Sequence, residues 1–129
     1  MKPLRLLAAF LAAALLSLAA YAADISGHWT WPMQGRNGNV TEVQATLQFK
    51  DGVLTGTVSG RMGDAPIGDA SFQDGKIAFT VTREVDGQKI VIKYAGKLEG
   101  DTITGKIERP AANEYDAPFI FDWKGTRVP

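Results

Sequence analysis

Apolar and polar residues alternate with a period of two along most of this chain. Thr41, Val43, Ala45, Leu47 and Phe49 share one side of an extended segment, and Glu42, Gln44, Gln48 and Lys50 share the other, which is the pattern of a strand with one buried and one wet face. The same alternation returns in Leu54, Gly56 and Val58; in Ile77, Phe79 and Val81; in Ile90, Ile92, Tyr94, Gly96 and Leu98; in Ile103, Gly105 and Ile107; and in Phe119, Phe121 and Trp123. Ile25 to Met33 and a short segment near Ile67 to Phe72 bring the expected number of strands to about eight.

Between these segments stand Asp51-Gly52, Asp74-Gly75 and Asp86-Gly87, with Gly100-Asp101 in the inverted order. Such pairs close two-residue hairpins because they accept the positive φ angles that the turns require. No helical period interrupts the series, so the predicted fold class is all-β, an antiparallel up-and-down meander. A meander with one apolar face must hide that face and both free edges, and closing into a β-barrel does both. The segments following Asp51, Asp74 and Gly100 echo one another weakly, as hairpins do, and are too short for a solenoid.

The first 22 residues read differently. Lys2 and Arg5 precede an apolar run from Leu6 to Ala20 broken only by Ser17, and Ala20-Tyr21-Ala22 supplies small residues where a signal peptidase cuts. The run is shorter than the ~20 apolar residues needed to cross a bilayer. The expectation is a signal peptide over residues 1–22, formed as a helix and cleaved after Ala22, and one domain over residues 23–129 that is periplasmic or secreted. With no Cys in the chain, lipid attachment of the bacterial lipoprotein type and disulfides are both excluded, so stability must come from packing. Without Lys2 and Arg5, 12 basic residues face 14 acidic ones. The basic residues are scattered singly, which argues against a nucleic-acid partner, and no membrane association is expected after cleavage.

Gly27-His28-Trp29 opens the first mature strand, and Arg127 lies near the end of the last. If the barrel closes by antiparallel pairing of these two strands, Trp29 and Arg127 become neighbours at the closed end, a stacked cation and ring worth about 1–2 kcal/mol when partly desolvated. In this respect the chain resembles the calycins, the superfamily of lipocalins, avidins and fatty-acid-binding proteins, in which a Gly-x-Trp on the first strand packs under a basic residue from the last. It is also similar to short exported bacterial domains built on Asp-Gly hairpins. Full lipocalins add a C-terminal helix that this chain lacks, and the polar residues that avidins place around biotin have no match here.

Strand direction puts the turns at residues 51–52, 74–75 and 100–101 at the Trp29 end. The other end would hold longer connections at Gln34 to Asn39, Arg61 to Pro66 and Pro110 to Ala117, with only Asp86-Gly87 tight. Continued alternation points Arg83, Arg109 and Tyr94 inward near that open rim, with Trp31, Met33, Val43 and Phe119 lining the same mouth. A guanidinium inside a barrel needs water, a carboxylate or a bound anion. Either Arg83 and Arg109 pair with Asp64, Glu84, Glu114 or Asp116, or they hold the anionic head of an apolar or amphiphilic ligand. Fatty-acid-binding proteins use a similar Arg and Tyr set, matched here by residue type.

No catalytic constellation stands out. The lone His28 points out of the barrel, no base adjoins Ser26, Ser59 or Ser71, and no metal-ligand spacing, phosphate loop or dinucleotide motif occurs. No cofactor and no metal are expected. The leading expectation is therefore a non-enzymatic binding module for a small hydrophobic or amphiphilic ligand. One alternative is a periplasmic interaction domain with a protein partner, similar in size to calycin-like inhibitors of secreted metalloproteases, which carry a disulfide. Another is a weak hydrolase using Asp64 with Asp69, or Glu114 with Asp116.

Overall fold

The computed structural model describes residues 24–34, 38–111 and 117–129. The expected leader, Glu114 and Asp116 lie outside the described residues. Eight strands follow in chain order: β1 (Gly27–Gln34), β2 (Val40–Lys50), β3 (Val53–Gly60), β4 (Gly63–Gln73), β5 (Lys76–Val85), β6 (Gln88–Glu99), β7 (Thr102–Arg109) and β8 (Phe119–Arg127). Each pairs antiparallel with its neighbour, and β8 returns to β1, closing the barrel.

The Asp-Gly pairs shape the hairpins as their chemistry predicts. Asp51 and Gly52 sit at φ 54° and 78°, Asp74 and Gly75 at 54° and 77°, and Asp86 and Gly87 at 52° and 79°. Two successive positive φ angles match the right-handed twist of the flanking strands. At the inverted pair only Gly100 is positive, at 63°, as a type II′ turn requires.

β4 departs from the sequence expectation. The connection expected to run from Arg61 to Pro66 is a tight turn with Arg61 and Met62 at its tip, because Gly60 already pairs with Gly63, and Gly63 takes φ 91°. The short strand expected near Ile67 to Phe72 is thus 11 residues long. Its register against β5 shifts between Gly68 and Ser71, where Asp69 adopts φ 45°. One extra residue in a strand is a β-bulge, and this one moves the inward face from Ala65 and Ile67 to Ala70 and Phe72.

The inward positions of all eight strands share one core, in which Trp29, Trp31, Phe79, Ile103, Ile107 and Trp123 are almost wholly enclosed. Closure of that core depends on the shortest ladder of the eight. β1 and β8 pair only through Trp29 with Arg127 and Thr30 with Thr126, joined by a 2.8 Å bond from the Val128 amide to the His28 carbonyl. Since the His28 backbone faces β8, alternation turns the backbones of Thr30 and Pro32 the same way. Continuing the register sets Pro32 opposite Lys124, and proline has no N–H to donate. The ladder ends at Thr30.

Candidate functional site

The barrel has a filled half and a hollow half. At the Trp29 end, the guanidinium carbon of Arg127 lies 4.5 Å from the centre of the Trp29 ring. Arg127 donates to the carbonyls of Ser26 (2.6 Å) and Asp24 (2.9 Å) and to the Asp101 carboxylate (2.8 Å). The Trp29 indole N–H donates to the Ile25 carbonyl at 2.9 Å. These bonds fold the chain before β1 across the barrel bottom, where Ile25 is fully buried.

Four rings fill the middle. Phe79 stacks on Tyr94 with centroids 4.6 Å apart, and Trp123 meets both edge-on at 5.6 and 5.2 Å. Trp31 packs edge-to-face against Trp123 at 5.5 Å and Tyr94 at 5.7 Å. The close approach is possible because Gly96 and Gly105 face each other across β6 and β7 and leave room for Trp123, whose ring lies 3.2 Å from where a Gly96 Cβ would stand. The indole nitrogens of Trp31 and Trp123 are buried without a hydrogen-bond acceptor. Edge-to-face contact with neighbouring π faces is the compensation available to them.

Above this plug, the other end of the barrel encloses a cavity of about 240 Å³. Met33 of β1, Val43 of β2, Val58 of β3, Val81 of β5 and Ile90 and Ile92 of β6 give it apolar walls, and Tyr94 forms part of its floor. Arg61, Arg83 and Arg109 also line it, and no carboxylate does among the described residues. The register explains the depth of each group. Arg83 stands opposite Ile90, and the β6–β7 register, carried one step on, sets Arg109 level with Ile92. Both cations therefore sit between Tyr94 and the rim.

The two arginines are held differently. Arg83 Nη1 donates to the Gly63 carbonyl at 3.0 Å, so the tight turn that begins β4 also anchors this side chain. The Arg109 side chain makes no hydrogen bond or ion pair with any described residue. Neither forms an ion pair with Asp64 or Glu84, the described carboxylates that the sequence offered as partners. Asp64 and Glu84 alternate with the inward residues Ala65 and Arg83 and are exposed.

Of the remaining residues expected at the mouth, Met33 and Val43 line the cavity, whereas Trp31 lies in the plug beneath it. Phe119 is inward by parity but 53% exposed, at the strand end beyond the cavity. Asp64 is on the outer surface and Asp69 at the bulge of β4, so the pair expected at a rim loop is distributed along one strand. His28 is outside, its Nδ1 3.1 Å from the Thr46 hydroxyl. Sequence reasoning missed Arg61 and Met62, which lie in a turn where no periodicity marks a direction.

No family model, curated protein or solved structure matches this chain. Its chemistry therefore rests on the geometry alone.

Burial pushes the Tyr94 phenol up to about 12, and the positive charges of Arg83 and Arg109 pull the other way without overcoming it. The Trp31 N–H also acts on the phenol, from too poor a geometry to count as a hydrogen bond. A phenol harder to ionise in the folded state than in the unfolded chain stabilises the fold fully below pH ~10, and that contribution is lost as pH rises through about 12. The loss should approach 2–3 kcal/mol, at about 1.4 kcal/mol per pH unit. Urea unfolding measured from neutral to alkaline pH is expected to show this decline and to show much less of it in Tyr94→Phe. An identical decline in the variant would assign the effect to other groups.

Proposed function

We propose that this protein is an exported, calycin-like binding module that holds a small amphiphilic anion in the mouth of its barrel. The observation that carries the proposal is the convergence of Arg61, Arg83, Arg109 and Tyr94 on a cavity whose walls are mainly apolar, with Gln34 and Thr41 as the uncharged polar lining and no described carboxylate. The guanidiniums of Arg83 and Arg109, brought partly out of water, demand a counter-charge, and an amphiphilic anion supplies one while covering the apolar walls. A rigid frame with a hollow at one end is also how small-molecule sites are usually built. The stacking of Arg127 on Trp29 beside Gly27 supports the calycin likeness, and the signal-like sequence pattern of residues 1–22 supports export. Hydrolysis by rim carboxylates gains no support from the placement of Asp64 and Asp69.

Native mass spectrometry of protein recovered from its own host tests the proposal. The expected species begins at Ala23 and carries an anionic small molecule, which Arg83→Met/Arg109→Met loses. The variant should melt no lower than the parent, because methionine fills the space without an uncompensated charge. Equal retention in the variant would overturn the anion site, and a mass that includes residues 1–22 would overturn export.

The interaction-domain alternative has one observation in its favour: Val40, Met62, Phe119 and Ile120 are large, apolar and more than half exposed at strand ends or turns on the cavity side. Recovery of the protein with a stoichiometric protein partner and an empty cavity would favour it.

A further inference from the structure

Lysines scattered singly along the chain are gathered by the strand register on the outer face of β5 to β8. Outward Ala78 of β5 stands beside outward Ala95 of β6, and these two small side chains make a low floor. Toward the sealed end Lys76 stands beside Lys97, and toward the cavity end Lys93 stands beside Thr80. Lys106 of β7 adjoins Ala95, and Ser71 of β4 adjoins Ala78. All four lysines are exposed. The row of Lys76 and Lys97 continues through Thr104 to Lys124.

The carboxylates of this face stand at its perimeter. Glu99 lies beyond Lys97 at 3.9 Å, and Asp122 pairs with Lys106 from the side away from the floor. Glu108 is opposite Lys93 at one corner, Glu84 is opposite Lys89 near the cavity end, and Asp74 occupies the turn before Lys76. Lys97 and Lys106 remain 64% and 66% exposed, so these pairs hold them weakly. Lys76 and Lys97 oppose each other directly, which costs stability, and an anion between them reverses that cost.

The spacing suits a chain of charges better than one ion. Lys76 and Lys97 are one strand apart, about 4.8 Å, and Lys93 and Lys97 four residues apart, about 13 Å. The aromatic residues of β5 to β8 alternate inward, so nucleic-acid bases find nothing to stack on. Val91 and Ile120 are isolated exposed apolar residues, too few to anchor the face in a bilayer. Ser71, Thr80 and Thr104 instead offer hydroxyls among the ammonium groups, donors and acceptors that match those of sugars.

We propose that this face binds an acidic polysaccharide, its anionic groups held by Lys76, Lys93, Lys97 and Lys106 and its sugar rings lying over Ala78 and Ala95. The site is separate from the barrel cavity and does not depend on what the cavity holds.

Titration calorimetry with dextran sulfate and with uncharged dextran, from about 50 to 200 mM salt, tests this. The chain has a formal net charge of +0, so binding of a polyanion reports the arrangement of charges and not their sum. Dextran sulfate should bind and dextran should not, with a slope of log affinity against log salt of about −3 for four neutralised lysines. Lys76→Gln/Lys97→Gln should weaken dextran sulfate at least about tenfold and halve that slope. It should melt no lower than the parent, because it removes an opposed like-charge pair. Lys50→Gln/Lys89→Gln removes the same charge elsewhere and should change affinity by less than about twofold. Equal weakening by this second pair, or no binding of dextran sulfate, would overturn the site. Tighter binding of polyadenylate, or of phosphatidylglycerol vesicles, with the same loss in Lys76→Gln/Lys97→Gln, would overturn the polysaccharide assignment and give the face to a nucleic acid or a membrane.

Discussion

Gly105→Ala is expected to prevent the barrel from folding. A Cβ at this position would stand 2.0 Å from the Ala95 carbonyl oxygen and 2.4 Å from the Gly96 Cα. Both obstacles are backbone atoms of β6, so no side-chain rotation relieves them. Relief requires β6 and β7 to separate at the point where their glycine pair admits Trp123. The cost should reach at least about 4 kcal/mol, a large share of the roughly 5–15 kcal/mol that stabilises a domain of this size. Gly125→Ala is the control, because its new carbon would meet nothing closer than 3.5 Å, and its stability should move by less than about 1 kcal/mol. Soluble yield and thermal melting compare the two, and a Gly105→Ala protein melting within a few degrees of the parent would refute the close approach.

Arg127→Met carries the second large effect. It removes the cation stacked on Trp29 and leaves the Ser26 and Asp24 carbonyls without their donors. The bond to Asp101 adds little, because that carboxylate is 80% exposed. The stack and the two charge-assisted bonds together predict a loss of about 2–4 kcal/mol. Arg127→Lys should recover only part of it, since an ammonium lacks the planar fork that reaches both carbonyls. Denaturant midpoints measure the loss, and amide exchange should locate it in residues 24–30. A loss spread evenly over the barrel would place the weak point elsewhere.

Much of this architecture was legible because both of its signals are local. Period two marks a strand with one wet face, and Asp-Gly marks the turn that reverses it, so the meander and its inward residues could be read without tertiary information. β4 was harder to read. Gly63, Asp64, Ala65 and Pro66 have the composition of a loop, and the bulge at Asp69 breaks the alternation that would have linked Ala65 to Phe72. Within the site, continuing the period from Ile77, Phe79 and Val81 put Arg83 inside, and a parallel argument placed Arg109 and Tyr94. Periodicity gives the side of a residue but not its depth. It therefore could not separate Trp31, sunk among three other rings, from Met33 at the cavity wall, nor show that Phe119 lies beyond the cover of its neighbours. Arg61 was invisible for another reason: a turn has no period.

The proline that interrupts closure has a second effect. Where β1 and β8 part, each strand presents a margin of backbone groups, the surface through which sheet proteins join end to end into fibres. On this chain those margins carry Pro32, which has nothing to donate, and Lys124, whose exposed charge repels an identical neighbour. The same two residues that limit how tightly the barrel fastens to itself oppose the pairing of this edge with another strand, so intramolecular closure is traded against edge protection at a single point.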